Sequence, residues 1–89
     1  MKVFWRESRA GRHLVLELEG KQTQVGFILR SKDKFDAVAK TTGYAPERSR
    51  NDFDSVEEAA AFVESFQPWQ EFGGPPDLPV EPGIQPRPV

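Results

Sequence analysis

Two stretches of the chain alternate apolar and polar residues with a period of two, the spacing at which a strand shows one face to a core. In His13-Leu14-Val15-Leu16-Glu17-Leu18-Glu19 the three leucines share a side, and from Gln24 to Arg30 so do Val25, Phe27 and Leu29. Gly20-Lys21 between them suits a two-residue hairpin turn with glycine first, a register that sets Leu16 opposite Val25 and Leu14 opposite Phe27. Phe35 to Thr41 repeats the alternation through Phe35, Ala37 and Ala39. A connection at Lys32-Asp33-Lys34 then brings Leu29 against Ala37 and Arg30 against Asp36. Val3 and Trp5 share a face in a further strand, Val3 to Glu7. Residues 42–52 read as a loop with a short strand near Arg48–Asp52. Gly26, in mid-strand, marks either a bulge or a close backbone approach.

The period changes to that of a helix after Asp54. Ser55-Val56-Glu57-Glu58 is a capping box, and Val56, Ala59, Ala60, Val63 and Phe66 recur as one apolar stripe. Pro68 ends the helix, because the residue before a proline is pushed out of helical geometry. Trp69 and Phe72 are expected to fold back onto the core. The pattern predicts an α+β fold: a three- to four-stranded antiparallel β-meander with one C-terminal α-helix packed on one face.

Composition sets the expected limit of that fold. Six of the eight prolines fall at Pro75 or later, beside Gly73, Gly74 and Gly83. A segment so poor in backbone donors and apolar side chains buries too little to offset its ordering entropy. Residues 73–89 are therefore expected to form a disordered Pro-rich tail after a single domain spanning 1–72. Pro76, Pro79 and Pro82, three apart, would line one ridge of a polyproline-II helix. Charge is divided as well: residues 1–50 sum to +5 and residues 51–89 to −7 within a net charge of −2. Such a molecule is electrostatically two-faced.

Chemistry-bearing residues are scarce. Zero cysteine excludes a disulfide scaffold, a thiolate metal site and a cysteine nucleophile. His13, the single histidine, opens a strand on the side opposite the leucines, with no nucleophile or carboxylate placed beside it. Neither a Gly-x-Ser-x-Gly elbow nor a Gly-rich phosphate loop is present. Asp52, Asp54, Glu57 and Glu58 crowd the helix start, where carboxylates complement the helix dipole, so no metal or cofactor is assigned to them. The longest apolar run, Ala59 to Val63, falls far short of the roughly 20 residues of a membrane span. No secretory signal is visible at the N-terminus, and a cytoplasmic location is expected.

These features point to a non-catalytic protein-binding module, a small intracellular regulator, adaptor or inhibitor. Its contact surface would be the outer sheet face (Val15, Ile28, Arg30, Val38) or the acidic helix (Glu57, Glu58, Glu64), with a homodimer through the sheet as one outcome. The alternative is a nucleic-acid-binding module using an Arg-rich edge of Arg6, Arg9, Arg12, Arg48 and Arg50.

Overall fold

The computed structural model describes residues 1–87. Four strands follow one another as an antiparallel meander: β1 (Lys2–Ser8), β2 (Gly11–Leu18), β3 (Lys21–Ser31) and β4 (Lys34–Ala39). A 3₁₀ turn at Pro46–Arg48 leads into β5 (Ser49–Phe53), antiparallel to β4, and then into helix α1 (Val56–Ser65). A second 3₁₀ turn, Pro68–Phe72, precedes β6 (Val80–Gln85), which runs parallel to β1. The sheet is thus mixed and six-stranded, in the order β5-β4-β3-β2-β1-β6. Overall dimensions of 37 × 33 × 19 Å match two layers, one sheet and one helix.

The core lies where the leucine periodicity places it. Val3, Trp5, Leu14, Leu16, Ala37, Ala39 and Phe53 are buried on the inner sheet face against Ala59 and Val63 of α1 and Trp69. Ser55 caps the helix, its Oγ accepting the Glu58 N–H at 3.1 Å. Gln67 is forced to φ 48° ahead of Pro68, which stops the helix as expected. Trp5 ties the layers together, its indole N–H donating to Glu64 Oε2 at 2.8 Å. By contrast, the buried indole N–H of Trp69 has no hydrogen-bond partner among the described residues.

Three expectations are corrected. First, β2 and β3 pair through Leu14–Gly26 and Val15–Gln24, leaving Val25 as an extra, bulged residue. Val25 and Ile28 therefore both point into the core, and Phe27 and Leu29 turn to the outer face. The reason is steric: an added Cβ at Gly26 would meet Val63 Cγ1 at 2.7 Å, so a larger residue beneath the helix would have to displace it. Second, the hairpin turn is Glu19-Gly20, with φ of 53° and 80°, one residue earlier than the glycine-first turn. Positive φ at both central residues matches the type I′ twist, and the bulge absorbs the offset.

Third, the sheet has six strands rather than three or four, and the segment expected to be a disordered tail contributes one of them. Val3 pairs with Val80 and Trp5 with Ile84, so β6 gains two residues on β1 across Pro82 and Gly83, the latter at φ 85°. Proline, which lacks an N–H, is tolerated at such an irregular sheet edge. The last two residues of that segment lie outside the described ones.

Candidate functional site

α1 and the Pro68–Phe72 turn pack on the inner face, so the outer face of β1–β4 is the side of the sheet away from the helix. Cross-strand neighbours on it are Phe4 with Val15, Arg6 with His13, His13 with Phe27, and Phe27 with Val38. Phe4 and Val15 are shielded at 2% and 4% exposure, Phe27 and Val38 are half-buried, and Leu29 is 40% exposed. The Lys2 ammonium and the Arg6 guanidinium lie over the Phe4 ring, at 5.4 and 5.2 Å from its centroid. Arg6 also donates to Gln22 Oε1, and Gln22 to Glu17 Oε1, each at 3.0 Å. The two carboxylates of this face are already engaged: Glu17 by Gln22, and Asp36 by the backbone N–H of Asp52.

His13 sits at the centre of the face. Burial pushes its imidazole below the ordinary value of 6.5, and the neighbouring charges of Lys40 and Arg6 push the same way. A neutral ring flanked by two cations is a poor general base, though a suitable acceptor or stacking surface.

The outer face runs on into a groove of about 590 Å³ lined by Phe27, Val38, Lys40, Tyr44, Pro46 and Phe72, among others. Tyr44, on the loop between β4 and β5, is 94% exposed. At the opposite end of the sheet, a second cleft of about 580 Å³ opens between the β1–β2 turn, the end of β3 and the start of α1.

The residues singled out from sequence are only partly brought together. Val15 and Val38 lie on the outer face as expected, but Ile28 is fully buried, and Arg30 is carried to the inner side beside Phe35. Both displacements follow from the bulge at Val25, which reverses the facing of everything after it in β3. On the helix, Glu64 is occupied by Trp5, whereas Glu57 and Glu58 are exposed.

The arginines do not form one edge. Arg6 belongs to the outer face, while Arg9 and Arg12 line the second cleft. Arg48 holds the loop by donating to the carbonyls of Ala39 and Lys40, both at 3.2 Å, and stacks on Phe66; Arg50 stacks on Phe53. Phe27 and Leu29 were the residues missed. Their exposure was signalled only by Gly26, the point at which strict alternation fails.

Asp54, one of the helix-start carboxylates, is paired with Lys34. Among the described residues, no three of His, Cys, Asp and Glu converge in a way that could hold a metal ion. None of the described helices is long and apolar enough to cross a membrane. No family model, curated protein or solved structure matches this chain.

Proposed function

We propose that the chain is a non-catalytic binding module whose outer sheet face docks a protein partner. In that role it would act by occupying the partner, as a small regulator, adaptor or inhibitor. The observation that carries this reading is the apolar strip of Phe27 and Leu29, turned outward by the bulge, and Val38 beside Phe27 on β4, all on the sheet face away from α1. An apolar centre with a polar rim is the anatomy of a protein contact patch. Charge selects the partner's chemistry. Lys40 flanks the strip at Phe27 and Val38, with Arg6 beyond His13, and Asp36 lies beside Leu29 at the other end, so the complementary surface is an apolar segment with a carboxylate toward Lys40.

The test is affinity capture with wild type, Leu29→Glu and Lys40→Glu, followed by cross-linking to locate the partner's contact segment. A partner bound through an acid-flanked apolar segment, and lost in both variants at unchanged melting temperature, supports the reading. Binding that survives Leu29→Glu overturns it. Single-stranded nucleic acid is the competing occupant, since Phe27 and Tyr44 beside Lys40 could stack bases. Salt-sensitive oligonucleotide binding abolished by Tyr44→Ala would replace the protein reading with that one.

A further inference from the structure

The cleft at the other end of the sheet carries a different chemistry. Arg9, Arg12, Arg30 and Lys32 line it, and Glu7 is the one carboxylate among its walls. Glu7 is committed to Arg12, whose Nε lies 3.2 Å from Glu7 Oε1. Arg9, Arg30 and Lys32 have no carboxylate within ion-pairing distance among the described residues, and all three are exposed. Three unneutralised cations thus surround one concavity of about 580 Å³ in a protein whose net charge is −2. An anion entering the concavity would therefore meet positive charge that no neighbouring carboxylate cancels. The floor is apolar: Ile28 is fully buried, and Phe35 and Val56 are half-buried.

We propose that this cleft binds the phosphoryl group of a small phosphorylated molecule whose apolar or aromatic part lies on Phe35 and Val56. Two guanidinium forks and an ammonium suit a dianion with several acceptor oxygens better than a single carboxylate, because each fork can engage two oxygens at once. The volume, comparable to that of small-ligand pockets, leaves room for a ring beside the phosphate. The backbone fixes the cations relative to one another. The Arg30 N–H donates to the Ala10 carbonyl at 2.8 Å, clamping the end of β3 to the turn that carries Arg9. Gly11 permits this approach: an added Cβ there would fall 1.9 Å from the Ile28 carbonyl oxygen. Because these residues are distinct from the outer face, the site stands or falls independently of the docking surface proposed above.

The experiment is titration of the full chain with inorganic phosphate, pyrophosphate, ADP and a single-stranded oligonucleotide, followed by calorimetry and backbone NMR. ADP should bind saturably at millimolar concentration or tighter, more strongly than phosphate and less strongly at high salt. Shifts should be confined to residues 9–12, 30–32 and the start of α1. Arg30→Gln with Lys32→Gln should weaken ADP binding by about tenfold or more, as should Arg30→Glu with Lys32→Glu, while Lys40→Glu leaves it unchanged. Exposed side chains make these variants safe for folding, which thermal melts verify. Failure of phosphate, pyrophosphate and ADP to saturate overturns the proposal, as do shifts elsewhere or an equal loss in Lys40→Glu. Oligonucleotide binding through the same residues, without binding of the small phosphates, overturns it in favour of a polymer backbone.

Discussion

Gly26→Ala adds one methyl group at the point where the helix comes closest to the sheet. Its carbon would stand 2.7 Å from Val63 Cγ1 and 3.1 Å from the Val38 carbonyl oxygen, well inside the roughly 3.5–4.0 Å of an ordinary carbon contact. Val63 is fully buried and β-branched in a helix, so it has one favoured rotamer and cannot swing aside. Relief must come from lifting α1 or spreading the bulge. Overpacking of this kind costs about 1–3 kcal/mol, against about 0.5–1 kcal/mol regained from the smaller backbone entropy of alanine. The net expectation is a loss centred on ~1 kcal/mol, or about 4–8 °C in melting temperature for a domain of this size. Val63→Ala alone removes buried methyls and should cost about 2 kcal/mol. In the double variant the new methyl enters the space that Val63 vacates, so the two losses should fall short of additivity by 0.5 kcal/mol or more, roughly the smallest resolvable coupling. Urea unfolding of the four proteins measures the cycle. Additive losses, or a neutral Gly26→Ala, would refute the close approach as the reason glycine occupies this position.

Three further outcomes are expected. Trp5→Phe should destabilise more than Trp69→Phe by about 1–3 kcal/mol, because only Trp5 gives up a hydrogen bond to a carboxylate; the reverse order in urea melts would refute it. Folding depresses the His13 value, so its contribution to stability is complete above the unfolded value of 6.5 and is lost as pH falls below it. A pH series of melts should show this slope in wild type and less of it in His13→Gln. Asp54 and Glu17 are likewise depressed, by hydrogen bonds from Lys34 and Gln22, so their contributions fade only in stronger acid. Truncation after Pro79 removes β6 and its half-buried Val80, which should cost about 1–2 kcal/mol and make sedimentation concentration-dependent as the β1 edge is exposed. A monomeric, equally stable fragment would show that β6 contributes nothing.

What could be read from sequence was whatever local pattern alone decides. Leu14 and Leu16 alternate across an uninterrupted strand and are buried together; Ser55 caps a stripe that packs as Ala59 and Val63; Pro68 stops the helix. What could not be read depended on partners distant in the chain. Val25, Phe27 and Leu29 satisfy a period of two as well as any strand does, and nothing local reveals that Val63 will press on Gly26. The β6 segment has neither alternation nor a donor at Pro82, so its pairing depends on an open β1 edge that only the assembled sheet provides. The site followed the same rule. Val15 and Val38 were placed on the correct face, being in strands without an upstream bulge, whereas Ile28 and Arg30, downstream of Val25, were not.

One extra residue therefore shapes both candidate surfaces. Without the bulge, Phe27 and Leu29 would be core residues and the outer face would lose its apolar strip; Arg30 would project outward opposite Asp36 as a cross-strand ion pair. With it, Asp36 faces Leu29 and caps Asp52, and Arg30 turns inward beside Phe35 with no carboxylate to meet. The bulged Val25 is itself fixed, since its carbonyl accepts the Lys40 N–H at 2.9 Å while its side chain is fully buried. The facing of β3 is thus set by core packing rather than by either surface. Strain introduced at Gly26 reaches Phe27, its immediate neighbour, before it reaches Arg30, four residues on and held by Ala10. Gly26→Ala should accordingly disturb NMR shifts on the outer face more than at residues 9–12 and 30–32. Equal disturbance at the two ends would mean that β3 shifts as a rigid unit.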